Sequence, residues 1–195
     1  PPGDPVVPRA LAFPRDHGAH PGFRSEWWYL TGWLEAPAGQ GAGDVLGFQL
    51  TFFRVRTGIG EDNPSAFAPR QVLLAHAALA DPAAGALRHD QAIARAGFGV
   101  VGADEADTDV RLGRWRFRRE PDSGAYRGVI PARGFTLEVT ATPTQALLLQ
   151  GEVGLSRKGP ATAQASYYYS RPQLAVAATV TRDGRAEQRR GRAWL

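Results

Sequence analysis

The chain has 195 residues, 43% of them apolar, enough for one well-buried core, and no run of about 18 apolar residues that would cross a membrane as a helix. Its formal charge of +4 comes from 23 basic and 19 acidic residues; every basic residue except Lys158 is an arginine, and they are scattered, so no clustered nucleic-acid-binding face is expected. The absence of cysteine excludes disulfides, thiolate metal sites and cysteine nucleophiles.

The chain opens on Pro1-Pro2-Gly3-Asp4-Pro5 without an initiator, which fits a mature secreted or periplasmic protein or a trimmed chain. Residues 1–12 read as an N-terminal extension ahead of one domain, 13–195. From there the periodicity is that of strands. Runs are expected over 27–35, 46–52, 71–80, 110–118, 135–142, 146–153, 165–170 and 174–182, the clearest being Leu46 to Phe52 and Phe135 to Thr142. Gly, Pro and Asp punctuate them at 38–41, 81–82, 121–124 and Asp183-Gly184, the last a hairpin signal. Gln91 to Ala96 reads as one short helical turn, and 58–69 and 99–108 as loops able to cover a barrel mouth. Strands throughout, without an amphipathic helix of several turns, predict an all-β antiparallel barrel or sandwich. The last residues, Gly191-Arg192-Ala193-Trp194-Leu195, end on two large apolar side chains and read as a chain cut inside a longer protein.

Glu26-Trp27-Trp28-Tyr29 sets a carboxylate among three aromatics. Strand alternation sends Glu26 and Trp28 to one face and Trp27 and Tyr29 to the other. A carboxylate beside Trp28 on an inward face costs several kcal/mol unless it is paired or protonated. Glu26 is therefore either a structural acid paired with an arginine such as Arg24 or Arg54, or a working one. His17 and His20 lie close by, but Gly18 and Pro21 indicate a loop and the spacing is not that of a helical zinc site, so hydrogen-bonded histidines at a pocket rim are expected and no metal. His76, on a face with Val72, Leu74 and Ala78, reads as a core histidine. No Gly-x-Ser-x-Gly elbow, dinucleotide fingerprint or phosphate-binding loop is present, and Lys158 lies in a polar run with nothing to desolvate it.

Five blocks in order resemble the AttH/CrtC family. They are Phe13-Pro14-Arg15-Asp16-His17-Gly18-Ala19-His20-Pro21, Glu26 to Gly32, Gly47 to Arg54, Leu74 to Asp81, and Ala165 to Arg171 running on to Gly191 through Leu195. The family includes bacterial carotenoid hydratases, proteins described as secreted hydrolases and, more distantly, fungal enzymes of Diels-Alder cyclisation. The resemblance implies a lipocalin-like barrel, paired in full-length members with a second such domain and binding a hydrophobic ligand near their contact. It also implies that the main catalytic acid lies beyond Leu195.

Hydrating an isoprenoid double bond requires a proton on carbon and shelter for the resulting cation, which aromatic faces supply at about 0.5–2 kcal/mol each. The expected function is a carotenoid-hydratase-like enzyme without metal or organic cofactor. Glu26 and Asp16 are its candidate secondary acids or water-orienting groups. Trp27, Trp28, Tyr29, Trp33, Phe48, His17, His20 and Tyr168 are its candidate substrate contacts. The alternatives are a non-catalytic lipid- or isoprenoid-binding lipocalin and a cyclase that folds a polyene in an aromatic pocket. The expected partners are a hydrophobic small molecule and the second domain.

Overall fold

The computed structural model describes residues 4–36, 44–161 and 164–195, and the turn expected at 38–41 falls outside them. A 3-10 turn, Arg15–His17, precedes β1 (Ser25–Leu34), β2 (Leu46–Arg56), β3 (Gln71–Asp81) and β4 (Ala86–Arg95). Short strands β5 (Val101–Ala103), β6 (Asp109–Leu112) and β7 (Trp115–Arg119) lead to β8 (Tyr126–Ala132) and β9 (Phe135–Thr142). The pairs β10 (Leu148–Leu149) with β13 (Tyr169–Ser170), and β11 (Leu155–Arg157) with β12 (Ala165–Tyr167), form a side excursion. The hairpin β14 (Leu174–Arg182) and β15 (Arg185–Trp194) turns at the expected Asp183-Gly184.

Eleven strands make one antiparallel sheet in the order β4-β3-β2-β1-β15-β14-β9-β8-β7-β6-β5. It curls into a nearly closed barrel, with Asp90 of β4 accepting from Arg133 N–H and Arg88 reaching Asp183 across the remaining gap. The interior is filled. Leu30, Leu50, Phe52, Phe117, Tyr126, Ile130 and Leu137 are fully buried, and Phe52, Phe117 and Tyr126 stack in sequence with centroids 6.4 and 5.7 Å apart. The packing leaves no slack at Gly128, where a Cβ would stand 2.9 Å from Val139 and 3.0 Å from Leu50.

The pattern departs from expectation in several places. The expected loop 99–108 contains β5, the run 165–170 is split into β12 and β13, and β8 and β15 have no counterpart among the expected strands. Residues 110–118 form two strands, because Gly113, at φ +62°, turns the chain between Leu112 and Trp115. Gln91 to Ala96 is not a helical turn; it belongs largely to β4, whose inward residues Ala92 and Ala94 are too small to show a strand's apolar stripe. The run 146–153 is reduced to the two residues of β10. His76 is exposed on the outer face, its ring 5.7 Å from that of Phe53, and is not a core histidine.

The two halves of the barrel differ outside. On β14, β9 and β8 the outward positions are Ala175, Ala177, Thr179, Thr136, Glu138, Thr140, Thr142 and Arg127 among others, as expected for a wet face. On β1 to β4 the outward register runs Trp27–Phe53–Leu74–Ile93 straight across four strands, with no carboxylate on that face. Trp33 and, from β15, Trp194 extend the apolar surface.

Candidate functional site

β1 is ten residues long, but only its last four, Thr31 to Leu34, pair with β15. The first six therefore run free of that neighbour, and a cavity of about 760 Å³ opens beside them. Glu26 to Tyr29 form one wall, and Ala165 to Tyr169 with Lys158 another. The loop 16–20 and the N-terminal segment, through Asp4, Val6 and Leu11, complete it. The space lies beside the packed barrel rather than within it.

A chain of charges fixes the loop on this wall. Arg9 donates to both oxygens of Asp16, at 2.8 and 2.6 Å, while the Ala12 N–H and His20 Nε2, 2.8 Å away, engage the same carboxylate. The other ring nitrogen of His20 is 2.6 Å from Glu26, which also accepts from the His20 N–H and from Arg54 Nε at 2.7 Å. Arg54 is itself buried and donates onward to Gln71 and to the carbonyls of His20 and Phe23. Of the two arginines offered by the sequence, Arg54 is the partner of Glu26.

This saturation sets the protonation states. Burial pushes the Glu26 and Asp16 carboxyls up, but hydrogen bonds from His20 and Arg54, and from Arg9, Ala12 and His20, outweigh it and hold both below the ordinary carboxylate range. The hydrogen bond to Glu26 raises His20 against its own burial, with Asp16 adding to it. Four donors occupy the acceptor positions of Asp16 and three those of Glu26, the His20 N–H reaching both oxygens of the latter.

His17 behaves in the opposite way. Burial, then the charges of Arg119 and Arg171, lower it to about 3, so its ring is neutral, with Nδ1 3.0 Å from the Tyr169 hydroxyl. Its carbonyl accepts from Trp28 Nε1 and Thr108 Oγ1, both at 3.0 Å, which fixes the loop against the barrel. Tyr29 and Tyr168 bring their hydroxyls to 3.2 Å, and burial followed by this contact raises Tyr29 to about 12. Among the described residues no group of three metal-ligating side chains forms.

Eight of the ten residues singled out in the sequence border the cavity: Asp16, His17, His20, Glu26, Trp27, Trp28, Tyr29 and Tyr168. Two do not. Phe48 points into the barrel and is part of its core, and Trp33 stands on the outer face at the far end of β1. Both share a strand periodicity with true wall residues, so only the point at which β15 stops distinguishes them. Asp4, Leu11, Phe23, Lys158, Ser166 and Leu195 were not foreseen as wall residues, because long stretches of chain separate the segments that bring them together.

A nearly closed antiparallel β-barrel of this kind is a lipocalin-like architecture. The chain belongs to the AttH-like family, whose family model matches residues 4–195. It superposes with a TM-score of 0.85 on the crystal structure of an AttH homologue from Nitrosomonas europaea, at 52% identity over 98% of this chain and 56% of that one. It also matches kievitone hydratase from Nectria haematococca at 9% identity, with a TM-score of 0.64, over 99% of this chain and 55% of the other. At that identity the likeness concerns the lipocalin-like fold alone. The chain thus spans little more than half the length of either structure. Comparison with curated proteins gave no match. No helix among the described residues is long and apolar enough to cross a membrane.

Proposed function

We propose that the flank cavity binds a hydrophobic small molecule and that this chain supplies part of the pocket of a hydratase-like enzyme adding water to an isoprenoid double bond. The observation that carries this reading is the cavity itself, about 760 Å³ of space bordered by Trp27, Trp28, Tyr29 and Tyr167 to Tyr169. Kievitone hydratase, of the same fold, is by its name a hydratase. Within this reading Asp16 and Glu26 are positioning groups, since both are ionised and fully engaged. Neutral His17, with Nδ1 3.0 Å from the Tyr169 hydroxyl, is the group of this chain placed to orient the attacking water. The proton donor belongs to the remainder of the full-length protein, in a second domain that covers the apolar outer face of β1 to β4. Trp27, Trp33 and Trp194, each more than a third exposed, support that docking.

The test is organic extraction of the full-length protein purified from its own host, with mass spectrometry of what it carries and a turnover assay on any polyene found. A polyene together with its hydrated partner is the expected result, and His17→Gln should then retain binding and lose turnover. Unmodified lipid with no turnover would instead establish the carrier reading, which the full engagement of Asp16 and Glu26 favours. An empty protein that takes up no hydrophobic ligand would overturn both.

A further inference from the structure

One end of the cavity is polar in a way that hydrocarbon does not need. Lys158 is the only lysine among 23 basic residues. It borders the cavity, and its Nζ sits 5.1 Å from the centroid of the Tyr168 ring. Among the described residues it has no ion-pair partner, whereas Arg9 and Arg54 are held by Asp16 and Glu26. The hydroxyl of that same Tyr168 meets Tyr29, and on the neighbouring strand β12 Ser166 borders the cavity, its hydroxyl buried within the wall and without a hydrogen-bond partner. A buried hydroxyl left unsatisfied costs about 1–3 kcal/mol, so it marks a place where a further polar group is accommodated.

The remaining charges do not oppose an anion. Asp16 and Glu26 are neutralised by Arg9, His20 and Arg54, and the exposed Asp4 and Arg24 on the cavity wall are of opposite sign. Away from Lys158, Val6, Leu11, Phe23, Trp27 and Leu195 give the wall an apolar length. One cationic, hydroxyl-bearing end and one apolar length match an amphiphile and not a pure hydrocarbon.

We propose that the cavity recognises a long-chain carboxylate, with its head group at Lys158, Ser166 and the Tyr29–Tyr168 pair and its tail along Trp27 and Leu11. The ammonium supplies the charge. Ser166 and a phenol donate to the carboxylate oxygens, and the apolar wall fits either a straight-chain or an isoprenoid tail. This inference rests on the reading of the cavity as a ligand site and adds the chemical class of what enters it.

The experiment is equilibrium binding to the full-length protein of four probes: cis-parinarate and retinoate, each beside its methyl ester, followed by ligand fluorescence and tryptophan quenching. The expected result is a preference of about tenfold or more for acid over ester in at least one pair, weakened by salt. The pair that shows it distinguishes a straight from an isoprenoid tail. Lys158→Met should reduce the acid to the affinity of its ester and leave the ester unchanged, Lys158→Arg should keep the preference, and Ser166→Ala should lower it a few-fold. Since Lys158 is exposed, its variants test recognition and not folding. Esters bound as tightly as acids, or a Lys158→Met variant that weakens both alike, would overturn the head-group inference while leaving the cavity as a ligand site. No binding of any probe would remove both.

Discussion

The barrel interior and the cavity at its flank are built by opposite means. Inside, large apolar side chains from β1, β2, β3, β7, β8 and β9 interlock, and room for a ligand has been closed by Phe52, Phe117, Tyr126 and their neighbours. At the flank, sheet pairing stops six residues short on β1, and the wall is held open by buried ions that satisfy one another. In this fold, space for a ligand arises where strand pairing ends, and charged groups serve to keep loops in place around it.

That contrast can be broken from either side. Arg54→Ala would strand the Glu26 carboxylate and free the loop 16–26, at a loss of about 3–5 kcal/mol in urea unfolding together with loss of bound ligand. Phe52→Ala should cost a similar 3–5 kcal/mol by opening a void in the core, but leave ligand affinity intact; weakened affinity would show that the two regions are coupled. Gly128→Ala, which forces a methyl against Leu50 and Val139, should cost about 1–3 kcal/mol with the same silence at the cavity. Trp27→Ala reverses the pattern. Its side chain is partly exposed, so stability should change by about 1 kcal/mol or less while affinity falls roughly tenfold.

The smallest effect is one of pH. His20 is raised in the folded chain, so its contribution is fully present below its unfolded value of about 6.5 and is lost as pH rises through the folded value. Asp16 and Glu26 are lowered, so theirs is present above the ordinary carboxylate range and lost in acid. His17 is lowered too, so its neutral ring costs stability as pH falls below its unfolded value of about 6.5. Unfolding midpoints should therefore be highest near neutrality and decline on both sides, and His20→Gln should flatten the alkaline limb. An unchanged alkaline limb in that variant would place the titration elsewhere.

Much of the barrel was legible because its inward residues are large and regularly spaced, as in Leu46, Phe48, Leu50 and Phe52, or Phe135, Leu137 and Val139. The strands that were missed lack that signal. β4 turns Ala92 and Ala94 inward, β8 carries Gly128 and Pro131, and β15 places Glu187, Arg189 and Gly191 on its inner side, so none reads as an apolar stripe. In the site, the Glu26–Arg54 pair was legible because the two stand on neighbouring strands and a buried carboxylate demands a partner. The approach of Lys158 and Ser166 to Trp27 was not, since it depends on where the excursion from β10 to β13 folds back, and no local pattern records that.

The position of β15 between β1 and β14 also bears on how the protein is made. The first strand of the sheet cannot acquire that neighbour until the last strand has been synthesised, so β1 to β4 must wait as an open meander. At about 5–20 residues per second, the interval from Thr31 to its partner Trp194 is roughly 10–30 s of translation. Throughout it, Trp28, Leu30 and Leu34, buried in the finished barrel, stand on an unfinished sheet, so the yield of folded protein should depend on the rate of elongation.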